Sequence, residues 1–288
     1  MDLGVQAALK AMETAGISAA DLDMIVVGTV TPDRQFPSTG CMVQKAIGAS
    51  HAAAFDVSAA CSGFLYALTM AHNGIRAQTS GLVLVLGVER LSTITNRQDR
   101  STCVLPGDGA VVVASSQNGR GILSTRLQSD GTFWDLLYSS NERSFLPQSL
   151  ECIDLKPFQL KMDGNRLFKR AVGCLSPIAS KAMEENGLSM NNIALVVPHQ
   201  ANIQIILCMA KNLGISMEKV YTNLDRYGNT SASILIGLDE ANRAGLIKDG
   251  DLVLLASFGA GITWGAAVIE WVTKERSPGR DRNTMSKY

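Results

Sequence analysis

Charge is scarce and evenly balanced: 26 Lys and Arg against 26 Asp and Glu make up 18% of 288 residues, with a formal net charge of zero. That leaves no electrostatic footprint for nucleic acid or an anionic membrane surface. No apolar run approaches a membrane span. The opening MDLGVQAALKAMETAGI reads as an amphipathic helix and lacks the basic-then-apolar layout of a signal peptide. Histidine is rare, with only three copies. The six cysteines (Cys41, Cys61, Cys103, Cys152, Cys174 and Cys208) form no C-x-x-C and have no histidine at metal-site spacing. The expectation is therefore no zinc, and reduced thiols in the cytoplasm. What remains is an apolar body, 46% of the chain, long enough for one large domain or two packed halves.

The chain is written twice. A helical stretch around VQAALKAMETAGISAADLD leads into MIVVGTV, and LFKRAVGCLSPIASKAMEENGLSMNNI leads into ALVVPHQ. AAFDVSAACSGFLYAL parallels VYTNLDRYGNTSASILIGL, TSGLVLVLGVE parallels KDGDLVLLASFG, and DGAVVVAS parallels WGAAVIEWV. Continuous Val/Leu-rich strands flanked by helices imply parallel sheets covered on both faces. The expected division is a first half over 1–118, a second over 119–273 and a flexible polar tail over 274–288. The second half opens with a β-like segment, GILSTRLQSDG (121–131), that has no counterpart in the first. The first half is thus read as incomplete, through fragmentation or loss of a strand.

Three residues of the echo fall at the carboxyl ends of strands, where open α/β sheets gather ligands. Cys61, in SAACSG, ends a strand and starts a helix. The positive end of that helix is expected to lower the thiol pKa and to present N–H groups to an oxyanion. His199 follows the strand of VVPHQAN. Asn229, in YGNTSAS, occupies the position that echoes Cys61. A thiol, an imidazole and an amide suit acyl transfer: the thiolate attacks a thioester, and the other two donate to a carbonyl gaining charge. Singly, each has a bland reading, as a small core cysteine, a satisfied core histidine and a turn asparagine. Together, at matching sheet ends, they favour chemistry. His51 and His72 read as surface residues. FGAGITWG lacks G-x-G-x-x-G spacing, and PGDGA lacks the Lys-Ser/Thr of a phosphate loop; both read as tight turns bringing backbone close to a site.

DVSAACSGFLYAL, VPHQANIQII, GNTSAS and SFGAGITWGAAVIEW resemble the β-ketoacyl-acyl carrier protein synthase III group of thiolase-like condensing enzymes, over about residues 2–272. The Cys-His-Asn set fits that branch and the chalcone synthases better than the elongating enzymes with Cys-His-His. The resemblance implies an α/β, thiolase-like duplicated fold of two mostly parallel five-stranded sheets with helices between and outside. It implies that Cys61 takes an acyl group, typically acetyl, from coenzyme A. Malonyl-acyl carrier protein then loses carbon dioxide, with His199 and Asn229 stabilising the enolate that attacks the acyl-enzyme, so the resemblance implies no metal or redox cofactor. It assigns an oxyanion hole to the N–H groups of Cys61 and Ala260. Phe36 would cross a homodimer interface to close the partner's acyl pocket, Arg100, Asn202 and Phe258 would bind substrate, and Lys169, Gln204 and Lys211 would lie on the carrier-docking face. Specialised acyl-loading relatives, and an impaired homologue kept as a structural partner, are the alternatives.

Several departures from the family pattern stand out. Gln204 replaces the usual Arg, and Pro106 a usual Phe; VLPGDGAVVVA is two residues short and NTSASI one. The largest departure is the absent opening segment, which in the family also carries a Trp and an Arg for the coenzyme A adenine. With strand order 3-2-1-4-5 the absent strand is central. Its neighbours are then expected to expose unpaired backbone groups, each costing about 1–3 kcal/mol when buried.

Overall fold

The computed structural model describes residues 2–95, 107–114, 120–139 and 160–272. Arg100, Pro106 and the tail beyond residue 272 lie outside the described residues. In the first half the elements are α1 (Asp2–Ala15), β1 (Met24–Gly28), α2 (Thr39–Ile47), β2 (Ala53–Val57), α3 (Gly63–Arg76), β3 (Leu82–Glu89) and β4 (Gly107–Ala114). The second half has β5 (Gly121–Ser129), a small ribbon of β6 (Leu137–Ser139) and β7 (Leu160–Met162), α4 (Gly164–Glu184), β8 (Ile193–Pro198), α5 (Ile203–Leu213), α6 (Leu224–Tyr227), α7 (Ser233–Arg243), β9 (Leu252–Gly259) and β10 (Thr263–Glu270).

Strand periodicity sorts the apolar side chains into three cores. Along β3, Leu82, Leu84 and Leu86 face one side with Ala8 and Met12 of α1 and Val43 of α2. The alternate Val83 and Val85 face the other, against Phe64, Leu65 and Leu68 of α3 and Ile234, Leu235 and Leu238 of α7. Along β9, Val253 and Leu255 join that same central core, while Leu254, Ala256 and Phe258 point outward to Ile178 of α4 and Ile206 of α5. The result is five layers, helix–sheet–helix–sheet–helix, with α3 and α7 sandwiched between the sheets. A strand buried on both faces needs apolar residues at every position, which is why LVLVLGVE lacks polar alternation.

Both sheets differ from expectation. Among the described residues each has four strands rather than five, in the orders β2-β1-β3-β4 and β5-β10-β9-β8. In the second sheet the outermost position is reduced to one parallel bridge, Val196 to Val220. Among the described strands, β1–β2, β1–β3 and β8–β9 pair in parallel, while β4, β5 and β10 run antiparallel to their neighbours.

The expected central gap is not there. β1 and β3 pair directly, Met24 with Val83 through Gly28 with Gly87. The second half explains why: its leading strand, β5, lies outside β10 at the sheet edge. By the duplication, a counterpart in the first half would lie outside β4, at the edge of the sheet rather than at its centre. PGDGA is also corrected, since Gly107–Ala110 open β4 and pair with β3 instead of forming a turn. β4 keeps its register with β3 from Gly107 to Ala114, so the shortening after GDGA produces no slip within the strand.

Candidate active site

Cys61 sits in a single 3-10 turn, Ala60–Ser62, between β2 and α3. Ala60 has φ 45°, a left-handed conformation costly for a residue with a Cβ. Contacts from the second half hold the turn. Ser257 Oγ donates to the Cys61 carbonyl at 2.6 Å, Ser62 Oγ to Thr263 O at 3.1 Å, and Thr263 Oγ1 to Ala59 O at 3.0 Å. The β9–β10 turn, FGAGITWG, lies directly on this feature, as its glycines suggest. A methyl group at Gly259 would stand 2.8 Å from the Cys61 amide nitrogen and 3.0 Å from that of Ser62. Ala260, the other expected oxyanion donor, is the next residue. On the first-half side, Gly28 abuts α3 so closely that a methyl there would meet the Gly63 carbonyl carbon at 2.6 Å.

The thiol is not activated in the resting site. Burial pushes it up to about 11; the Ser231 hydrogen bond opposes this and the negative charge of Glu89 adds to it. The sequence expectation of a lowered pKa is overturned, because desolvation of a thiolate outweighs what favours it here. The residue itself remains partly accessible.

His199 follows β8 and is 7% exposed. Its backbone N–H donates to Ala256 O at 2.8 Å, and Nδ1 lies 2.8 Å from Ser233 Oγ. Burial lowers the imidazole to about 4, so it is neutral at ordinary pH. Its Nε2 and the Asn229 Oδ1 are buried without a hydrogen-bond partner. Such orphaned atoms are costly, and they mark where a ligand's polar groups belong.

The segment 229–233 ties these groups together. Asn229 opens it, Ser231 Oγ approaches Cys61 Sγ at 3.6 Å, and Ser233 at the start of α7 holds His199. This segment therefore meets Cys61 through Ser231 and His199 through Ser233, with Asn229 at its start.

Comparison with known proteins decides the assignment. Family models for 3-oxoacyl-[acyl-carrier-protein] synthase III match residues 55–131, and for its C-terminal part residues 183–271. A β-ketoacyl-[acyl-carrier-protein] synthase III from Caldanaerobacter subterraneus subsp. tengcongensis is 47% identical over 273 residues, covering 94% of this chain and 82% of its own. The chain belongs to the synthase III family.

Its fold matches solved members. The synthase III of Aquifex aeolicus superposes with a TM-score of 0.86 at 41% identity, covering 93% of this chain and 83% of its own. The priming β-ketosynthase of a polyketide biosynthetic pathway gives 0.87 at 34%, covering 93% and 80%. As a synthase III, the chain is a condensing acyltransferase.

The remaining expected site residues are spread more widely in this synthase III. Phe36 is 82% exposed, on the segment between β1 and α2. Asn202 uses Oδ1 to cap α5 through the Gln204 amide at 2.8 Å, leaving its Nδ2 for other partners. Phe258 is packed within the outer core of the second sheet rather than standing free. Lys169 on α4 and Gln204 and Lys211 on α5 are exposed on two helices that pack together. His72 is half-buried rather than a surface residue. Among the described residues no group of three or more His, Cys, Asp or Glu could hold a metal, and no helix is long and apolar enough to cross a membrane.

Sequence reasoning missed Ser231, Ser233, Ser257, Gln200, Glu89 and Glu240. Ser233 had a faint signal, lying at the helix start that echoes α3.

Proposed function

We propose that the chain condenses an acyl-coenzyme A, with acetyl-coenzyme A first in line, with malonyl-acyl carrier protein to start fatty acid synthesis in the cytoplasm. The Cys61 sulfur attacks the thioester carbonyl; the tetrahedral oxyanion sits between the Cys61 and Ala260 N–H groups and collapses to acyl-Cys61 with coenzyme A leaving as its thiol. The malonyl thioester then binds and loses carbon dioxide. His199 and Asn229 stabilise the enolate, whose carbon attacks acyl-Cys61 and releases the β-ketoacyl carrier product and the Cys61 thiolate.

The observation that carries this reading is that one segment, 229–233, begins at Asn229 and reaches both Cys61, through Ser231, and His199, through Ser233. Ser233 Oγ accepts from the Gln200 N–H at 3.0 Å and lies 2.8 Å from His199 Nδ1. In the tautomer where the Ser233 hydroxyl donates to Nδ1, the ring hydrogen sits on Nε2, the orphaned atom, as a donor for the enolate oxygen. A neutral imidazole suits this role. The direct pairing of β1 with β3 supports a first sheet without a central gap.

Phe36, together with Phe55 on the edge strand β2, suits a homodimer in which Phe36 covers the partner's acyl pocket. Lys169, Gln204 and Lys211 suit the acidic carrier protein. A polyketide-priming role is the second reading, favoured by the likeness to the priming β-ketosynthase; the acyl group accepted separates the two.

Intact-mass spectrometry after incubation with acetyl-coenzyme A tests the proposal. One acetyl adduct, absent in Cys61→Ala and discharged by malonyl-acyl carrier protein, is the expected result. Labelling only by longer or branched acyl-coenzyme A supports the priming role. No labelling by any acyl-coenzyme A overturns the reading.

A further inference from the structure

The backbone that delivers Asn229 is held from a carboxylate two helical turns beyond the site. Glu240, on α7, collects five hydrogen bonds. Its Oε1 accepts from Arg226 Nη1 and the Tyr227 hydroxyl, each at 2.8 Å. Its Oε2 accepts from Asn223 Nδ2 at 2.8 Å, the Tyr221 hydroxyl at 3.0 Å and Arg226 Nη2 at 3.1 Å. Every donor comes from residues 221–227. Gly228 follows with φ 64° and ψ −161°, a conformation open to glycine, and Asn229 comes next. With its Oδ1 unpartnered, Asn229 is aimed by the backbone that leads to it.

The same helix holds the imidazole. Ser233, seven positions earlier and so on the same face of α7, bonds His199 Nδ1 and the Gln200 amide. Gln200, fully buried, closes the frame: its Nε2 donates to Pro198 O and Tyr221 O, and its Oε1 accepts from the Asn223 N–H. The His199 loop and the Asn229 loop are thus fastened both to each other and to one rigid helix.

We propose that Glu240 is a positioning residue that sets Asn229 against His199 for the enolate-forming step, without a part in acylation of Cys61. The turn around Cys61 is held by Ser257, Ser62 and Thr263, none of which hydrogen-bonds Glu240, and Ser231, which meets the sulfur, lies past Asn229 beside the start of α7 rather than within 221–227. The carboxylate remains ionised: burial acts to raise its pKa, but the bonds from Asn223, Tyr227 and Tyr221 and the Arg226 charge together lower it. A fixed charge gripped in a bidentate fork is a stiffer anchor than neutral hydrogen bonds. The inference rests on the condensing reading above.

The test divides the reaction into its halves in the full chain. Glu240→Gln is expected to load acetyl on Cys61 at the wild-type rate. Its decarboxylation of malonyl-acyl carrier protein should fall about tenfold to hundredfold, the scale of a small misplacement of a reacting group. Tyr227→Phe, which removes one bond of five, should give a smaller loss in the same half-reaction. Equal loss in both half-reactions, or none in either, overturns the proposal. Amide exchange provides a readout free of activity. Residues 221–229 should exchange about tenfold faster in Glu240→Gln while 60–76 are unchanged. Uniform acceleration, or none, defeats the positioning role even if the function is misread; failure of wild-type labelling with selective loosening of 221–229 would overturn only the function.

Discussion

The Cys61 sulfur and the Ser231 hydroxyl stand 3.6 Å apart, one from each half of the duplicated chain. Because Ser231 favours the thiolate while burial disfavours it, the pair sets how readily the nucleophile forms. Ser231→Ala is expected to slow Cys61 alkylation by iodoacetamide at pH 8 by several fold, about the effect of one lost hydrogen bond to a charged group. An unchanged rate would show that the hydroxyl does not bond the sulfur.

Glu89 works in the opposite sense. It lies at the end of β3, 2% exposed, accepting from Val30 N at 2.9 Å and Thr31 Oγ1 at 2.5 Å. Its charge raises the Cys61 pKa. Glu89→Gln keeps the shape, removes the charge, and should shift the pH profile of Cys61 alkylation to lower pH.

Two buried groups give stability opposing pH slopes. Burial lowers His199 to about 4, so its contribution is present above its unfolded value of 6.5 and is lost as pH falls towards 4. Burial raises Glu89 to about 7, so its contribution is present below its unfolded value of 4.5 and is lost as pH rises towards 7. Each amounts to about 3 kcal/mol at full extent, and the windows overlap, so the two largely cancel near pH 5–6. Urea unfolding of Glu89→Gln should show stability rising with pH across this window, and His199→Ala should show it falling. Parallel slopes in both variants would contradict the assignment.

Gly259→Ala places a methyl group against two backbone nitrogens that cannot yield independently of the nucleophile turn. The expected cost is about 1–3 kcal/mol of stability, with Cys61 acylation lost from the protein that still folds. Thermal unfolding and mass labelling of the same sample measure both.

Gln204→Arg supplies a cation on the exposed face of α5 proposed to dock the carrier protein. A lower KM for the carrier-bound substrate, by about fivefold to twentyfold, with kcat unchanged and the gain lost at high salt, is the expected outcome. A change in kcat alone would place residue 204 outside the docking face.

Much of this was legible in the sequence. The Val/Leu runs of 82–89 and 252–259 identify buried strands, and the echo between the halves brings out Cys61, His199 and Asn229. Strand order was not legible: local pattern says that 24–28 and 82–89 are strands but not that they are neighbours. PGDGA was misread because glycines suggest a turn but do not bar a strand, and Gly107–Ala110 pair with β3. The supporting serines stayed hidden because their partners are remote, 34 positions for Ser233 with His199 and 196 for Ser257 with Cys61. The thiol pKa was misjudged because a helix start is visible in sequence, whereas the desolvation around it is not.

The bonds from Ser257 and Thr263 to the Cys61 turn also govern timing. During synthesis residue 61 leaves the ribosome well before residue 257, so the nascent first half carries its cysteine without the strand that shapes the turn. The Ala60–Ser62 turn gains its Ser257 and Thr263 partners only when the last two strands dock. A chain interrupted before β9 therefore holds Cys61 without the contacts that shape its turn.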